Sequence, residues 1–303
     1  MPNRELSERV VRVFGKEGSA WLEKLPRLID RLSTLWELER VDPPFPGSRA
    51  SFVAPALGSR GERLILKITP DRPGLEHEHD ALAYWCGAGA VKVVRDSLAD
   101  GAILLEGAAP GEALRESRDR PGDAASVFAK VAADLGDRRW PAPQLPSITT
   151  WLEHLAADAL PGVGAHSDRA RQIGQDVLAR TDRMVVLHGD LHHGNLLGCG
   201  SSWVAIDPKG VLGPREAEPA AFLRNPRKVI LAHPDPVELT IGRVSVISRI
   251  LDCDPHLVLA WAYVLAVLAA RWSIEDGEGD EETDRGLCCA EIMRGARAKH
   301  DNR

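Results

Sequence analysis

The segment VVLHGDLHHGNLLGCGSSWVAIDPKG, residues 185–210, constrains this chain more than any other stretch. The apolar run Val185–Leu187 reads as buried strand and delivers His188-Gly189-Asp190 to its end. Leu196 and Leu197 resume apolar character, and a Gly/Ser turn leads into WVAI, which stops at Asp207. The pattern predicts a hairpin-like unit with polar groups at both ends, Gly189 and Gly194 allowing tight turns. Three oxygen-bearing side chains then converge: Asp190, Asn195 and Asp207. Oxygen ligands suit Mg2+, whereas zinc takes several His or Cys ligands. His192 and His193 are adjacent, so an extended segment points them apart and a zinc site is disfavoured.

The rest of the chain limits what can be built around this unit. Its 303 residues are enough for a sizeable core and two lobes. A net charge of −6 argues against nucleic acid as a partner and suits a cationic substrate. The five cysteines are irregularly spaced, which fits neither a disulfide framework nor a CxxC metal pattern and points to a reducing compartment. The N-terminal stretch is charged and amphipathic with no long apolar core. The run LVLAWAYVLAVLAA (257–270) is short of the ~18–20 residues that span a bilayer, so it reads as a buried helix. A cytoplasmic protein without a membrane partner is expected.

Residues 5–37 have helical spacing, with Leu22, Leu25, Leu28, Ile29 and Leu32 on one face. After a turn-rich stretch, SFVAPA and RLILKI (63–68) read as strands, Glu76–Gly87 as a helix, and VKVV (91–94) and AILLE (102–106) as further strands. Beyond Pro110-Gly111 the pattern is mostly helical. The expected lobes are therefore 1–107, a small mainly-β lobe with an N-terminal helix, and 108–303, a larger mainly-α lobe. The acidic run EDGEGDEETD (275–284) reads as a solvated loop.

HxDxxxxN followed by a strand-terminal Asp resembles the catalytic loop and metal-binding Asp of protein kinases, in the form used by aminoglycoside phosphotransferases. With Lys67 in a strand, a helix glutamate and the strand ending LLEGAAPG, the set follows the kinase order over about 140 residues. The resemblance implies an α+β, two-lobed protein-kinase-like fold that uses ATP and Mg2+, GTP remaining open as the nucleotide. It implies Asp190 as the catalytic base or hydroxyl-orienting group, Asn195 and Asp207 as metal ligands, and His188 as a brace of the loop.

Lys67 is the only charge in RLILKI, where a bare lysine is costly to bury; the alternative is an edge-strand lysine reaching water. Glu78, eleven residues on, can pair with it and hold its ammonium on the phosphates. It is preferred to Glu76 because Leu82 and Trp85 follow it at i+4 and i+7 along one face. Backbone groups from Glu106 to Ala108 would read the adenine edge. The chain lacks the GxGxxG of protein kinases, and PGSRAS (46–51) is the substitute, with Gly47, Ser48 and nearby amides cradling phosphate.

IDPKGVLGPREAEPAAFLRNP (206–226) and WCGAGAVKVV (85–94) resemble streptomycin 6-phosphotransferases and hydroxyurea phosphotransferases. The resemblance implies transfer of the γ-phosphoryl group to streptomycin or hydroxyurea. The alternatives are a kinase of another small hydroxyl compound, such as a sugar or amino alcohol, and a nucleotide-binding pseudoenzyme. The presence of Lys67, Asp190, Asn195 and Asp207 argues against the last. Lys209 is either a catalytic electrophile or the partner of Glu216 or Glu218, and Arg224 braces its loop. Streptomycin carries two guanidinium groups, so Glu153, Asp158, Trp151 and the acidic run 275–284 are candidates for its pocket.

Overall fold

The computed structural model describes residues 4–46, 50–115, 121–136, 141–156, 163–277 and 279–301. Helix α1 (Arg4–Leu35) opens the chain and is broken at Gly15, whose φ of +54° no helix interior accommodates. Then come β1 (Leu38–Val41), β2 (Phe52–Gly58), β3 (Arg63–Ile68), α2 (Arg72–Trp85), β4 (Val93–Ser97) and β5 (Ala102–Glu106). These strands form one antiparallel sheet in the order β1-β2-β3-β5-β4. β2 alternates strictly between buried and half-buried residues, so one face is committed to a core. Leu25 and Leu32 of α1 fill that core with Phe52, Leu66, Ile68 and Leu104, while Leu22, Leu28 and Ile29 pack at its margin.

The other face of the sheet carries α2. Asp71 caps its N-terminus by accepting from the Gly74 amide, with proline in the first turn, so the helix starts four residues before the expected Glu76. Its buried side, Leu75, Glu78, Leu82 and Trp85, turns towards the sheet. β4 begins two residues later than VKVV, because Ala90 and Val91 pair with Ala205 at the end of β9 before the chain joins the sheet.

Past Glu106 come β6 (Pro110–Ala113), α3 (Pro121–Leu135), α4 (Ile148–Glu153), α5 (Gly164–Leu178), β7 (Val185–Leu187), β8 (Leu196–Cys199), β9 (Ser202–Ala205) and β10 (Val211–Gly213). The helices α6 (Ala220–Leu223), α7 (Arg227–Leu231), α8 (Pro236–Leu251), α9 (Pro255–Glu275) and α10 (Asp280–Asp301) complete the chain. The hairpin in the catalytic segment differs from the expected one. β8 pairs with β9 and with β6, whereas Val185–Leu187 pairs with β10, a strand of three residues that carries no alternation of its own. Two small sheets therefore hold the segment, one on each side of residues 188–195.

Helix α9 is the core of the second half. Among the described residues it alone is long and apolar enough to cross a membrane, yet 83% of its apolar window is buried inside the protein. The acidic run after it is largely exposed, as expected, but most of its described residues belong to helix ends and not to a loop. Glu275 closes α9 and pairs with Arg271, while Asp280, Glu281 and Glu282 form the first turn of α10, where the helix dipole favours negative charge. Glu282 pairs with Arg227 and Arg285, and Glu281 with Arg285.

Candidate active site

β3 and α2 bring Lys67 and Glu78 together. The ammonium of Lys67 lies 2.5 Å from Glu78 Oε2 and 2.5 Å from Asp207 Oδ1, which bridges the sheet to the end of the segment after β9. Glu78 is 4% exposed, so the partner of Lys67 is the buried glutamate and not the exposed Glu76. Burial opposes the charge on Lys67, but the two carboxylates outweigh it and hold the lysine above its ordinary range. Burial pushes the Glu78 carboxyl up, with Lys67 only partly offsetting it. Asp207 is also desolvated, yet Lys67 and then Lys209 keep its carboxyl below the usual range.

The catalytic loop is fixed from several sides. His188 is fully buried and stacks on Trp85 with centroids 6.4 Å apart. Its Nδ1 accepts from the Asp190 amide at 3.3 Å, so Nε2 carries the proton and donates to the Ile206 carbonyl at 2.9 Å. Burial pulls this imidazole down to about 4, which keeps it neutral. Gly189 adopts φ +79°, and a Cβ there would fall 2.9 Å from Trp151 Cη2 and 3.0 Å from Val211 Cγ1. Only glycine satisfies both the turn and the close approach.

Asn195 is buried, and its Nδ2 donates to the Asp190 carbonyl at 3.0 Å. That bond uses the nitrogen and leaves Oδ1 as a donor atom for a cation. The Ile206 amide donates to the Asn195 carbonyl, which ties Asn195 to the strand end beside Asp207. Asp207 takes a left-handed φ of +59°, and its side chain is 46% exposed with one oxygen held by Lys67. Two hard oxygen donors fit Mg2+. The neighbouring histidines face different environments: His193 stacks on Phe222 at 4.3 Å, and His192 Nε2 lies 3.9 Å from Asp190 Oδ2.

Glu106 ends the interior strand β5, and Ala108 lies just beyond it. The Gly107 amide is committed to Arg63 O and the Glu106 amide to Lys92 O. The Ala108 amide has no hydrogen bond among the described residues, and Ala108 is half-buried. Ser48 lies outside the described residues, as does Asp158. Glu153 is exposed, and Trp151 is half-buried against Gly189. Lys209 forms no ion pair with Glu216 or Glu218 among the described residues; it is exposed, and its charge acts on Asp207 and Glu78.

Two residues with direct roles in the loop carry little signal in the sequence. Glu218 is 6% exposed, accepts from the His188 amide at 2.7 Å and from the Gly189 amide at 3.2 Å, and is pushed up to about 7 by burial. Arg224 does more than brace its own loop, since its Nη2 donates to Asp190 Oδ1 at 3.2 Å. Both lie in the segment 206–226, whose Gly/Pro turn and short helix α6 bring them back under the loop.

Residues 36–277 match the family described as aminoglycoside/hydroxyurea antibiotic resistance kinase. A streptomycin 6-kinase from Streptomyces glaucescens is 30% identical over 302 residues, covering 96% of each chain. A streptomycin 3''-kinase from Klebsiella pneumoniae is 32% identical over 214 residues, covering 68% of this chain and 78% of that one. Among solved structures, the choline kinase LicA from Streptococcus pneumoniae has a TM-score of 0.67 at 10% identity, covering 89% of this chain and 98% of that one. The aminoglycoside phosphotransferase APH(4)-Ia, solved as a ternary complex with ADP and hygromycin B, gives 0.61 at 13% identity over 88% and 97%. These likenesses establish a two-lobed α+β kinase-like fold, and the sequence match over residues 36–277 establishes more: the chain belongs to the aminoglycoside/hydroxyurea antibiotic resistance kinase family.

Proposed function

We propose that this protein transfers the γ-phosphoryl group of ATP to the 6-hydroxyl of streptomycin. The observation that carries the reading is the bridge from Lys67 to both Glu78 and Asp207, with Asp190 presented separately on its own loop. Phosphoryl transfer needs this division, because one group must sit at the acceptor oxygen while others hold the nucleotide. The 6-kinase relative aligned over nearly the whole chain supports the 6-position over the 3'' position.

In this reading Asp190 accepts a hydrogen bond from the acceptor hydroxyl and takes its proton as that oxygen bonds the γ-phosphorus and the bond from γ-phosphorus to the β-phosphate oxygen breaks, releasing ADP. Lys67 holds the nucleotide phosphates and Glu78 holds Lys67. Asn195 Oδ1 and Asp207 would hold Mg2+, which supplies neutralising charge to the phosphate oxygens. The Ala108 amide and the backbone near Glu106 meet the adenine edge, and Ser48 contributes to the phosphate cradle. Residues 1–107 thus form the nucleotide-binding lobe and 108–303 the catalytic and acceptor-binding lobe, in a cytoplasmic enzyme with access to ATP. Lys209, exposed beside Asp207, serves as an electrophile towards the transferred group.

The test is turnover with ATP and GTP, offering streptomycin, hydroxyurea and small sugars or amino alcohols, with the phosphorylated position read by 31P–1H correlation. Streptomycin 6-phosphate as the preferred product supports the reading. Hydroxyurea or a small alcohol as the preferred acceptor overturns the substrate, and a 3'' product overturns the position.

A further inference from the structure

Two half-buried indoles lie near the catalytic loop, Trp151 against it and Trp272 against Trp151, and nothing in the phosphoryl-transfer chemistry uses them. Trp151 sits on α4, which Ile148 and Leu152 anchor from its buried side; Leu152 packs against Gly174 of α5. Trp151 occupies the flank next to these two, and its Cη2 reaches Gly189, the residue before Asp190. Trp272, in the last turns of α9, meets it edge-to-face with centroids 5.4 Å apart, and His154 stands edge-on to Trp272 at 6.2 Å. Core tryptophans of this protein look different: Trp85 and Trp261 are each 1% exposed. Trp151 and Trp272 keep part of their surface open, Trp151 against the loop that carries Asp190 and Trp272 against Trp151.

We propose that Trp151 and Trp272 form the wall of the acceptor site and receive a planar guanidinium of the substrate against an indole face. This rests on the phosphotransferase reading above and adds the group that selects the acceptor. Guanidinium stacks on indole through its flat, weakly hydrated face, a contact worth more at a half-desolvated site than in open water. Asp190, one oxygen of which Arg224 holds, supplies negative charge beside the wall, and the chain as a whole carries −6. The same wall gives little to hydroxyurea, which carries no positive charge.

The test is calorimetric titration of streptomycin into the nucleotide-free wild type, Trp151→Phe, Trp151→Leu and Trp272→Leu, with ATP kinetics and thermal unfolding measured on each. The wild type should bind streptomycin. Trp151→Leu should weaken binding about 10-fold, the scale expected for losing a cation–π contact, and Trp151→Phe should lose about 3-fold or less. The KM for ATP should stay near wild type, and the affinity loss should be larger in Trp151→Leu than in Trp151→Phe whatever their unfolding temperatures. Two results overturn the proposal: streptomycin affinity that is unchanged in Trp151→Leu, or losses that track a lowered unfolding temperature equally in Phe and Leu variants, which would mark a brace for Gly189. A wild type that fails to bind streptomycin overturns it as well. Binding without turnover would instead leave the wall in place and remove the phosphotransferase reading.

Discussion

Arg224 reaches Asp190 from 34 residues away in sequence, donating from Nη2 to Oδ1 at 3.2 Å with a side chain only 12% exposed. Three residues later, Arg227 pairs with Glu282 in the first turn of α10. The segment FLRNPR therefore joins the catalytic loop to the connection between the two longest helices of the second half. One Asp190 oxygen is held by this contact, and the other faces His192 at 3.9 Å. The carboxylate is thereby held in one orientation before an acceptor arrives.

Arg224→Ala should free Asp190 to rotate. Misplacing a reacting group by about 1 Å costs on the order of 100-fold in rate, so kcat should fall by about that factor while the KM for ATP changes little. Arg224→Lys should recover only part, because an ammonium lacks the planar fork. Steady-state kinetics on both variants decide it. A kcat near wild type for the alanine variant would make the contact incidental.

Lys67→Ala removes the partner of a buried carboxylate. Glu78 would be left 4% exposed without a counter-charge, and breaking a buried pair costs about 3–5 kcal/mol. The variant should unfold at lower temperature, and MgATP at about 100 times the wild-type Kd should no longer add the roughly 2.7 kcal/mol it gives the wild type. Lys67→Ala combined with Glu78→Gln should regain part of the stability and none of the nucleotide response. Thermal unfolding with and without MgATP separates the two effects, and a full nucleotide response in Lys67→Ala would remove Lys67 from the phosphate site.

What the sequence disclosed follows from the range of each interaction. RLILKI coincides with β3, and Glu78 is distinguishable from Glu76 because Leu82 and Trp85 share its buried face, a pattern within two helical turns. The motif spacing likewise pointed to Asp190, Asn195 and Asp207, and the structure brings these onto adjoining strand ends. Glu218 was read only as a possible partner for Lys209, because nothing near it in sequence announces two backbone amides 29 and 30 residues upstream. β10 escaped for a related reason: three residues have no periodicity, and its pairing with β7 is decided by tertiary packing. The acidic run 275–284 is largely exposed, as it reads, but its ion pairs are not legible because Arg227 lies on another helix and Arg285 on a later part of α10.

Glu218 makes stability depend on pH in a stated direction. Its folded pKa of about 7 lies above the ordinary 4.5, so the folded state binds the extra proton; that stability is complete below 4.5 and is lost as pH rises through 7. Across the full titration the loss is roughly 3 kcal/mol. His188 acts oppositely: its folded value of about 4 lies below 6.5, so its contribution is present above 6.5 and is lost as pH falls through 4. Glu218→Gln isolates the first effect, since glutamine does not titrate. Denaturant unfolding at pH 5 and pH 8 should show the wild type losing stability relative to the variant on going to pH 8. Parallel curves would show that the two amides keep Glu218 ionised throughout.

Asp190→Asn tests the chemistry most directly. The amide keeps the shape of the carboxylate and retains one oxygen for Arg224, so the loop should hold its form. It cannot take a proton, and its neutral oxygen orients a hydroxyl weakly. General-base groups contribute about 10²–10⁴ in rate, and kcat should fall within that range. Nucleotide binding should persist, because it depends on Lys67, Asn195 and Asp207, whose links to one another do not pass through the Asp190 side chain. Asp207→Ala should give the reverse pattern, with the metal-dependent nucleotide affinity lost together with turnover. The measurement is kcat and KM for streptomycin beside a calorimetric MgATP titration for each variant. Near-wild-type turnover in Asp190→Asn would mean that another group meets the acceptor hydroxyl, and the reading of HGDLHHGN as a catalytic loop would fall.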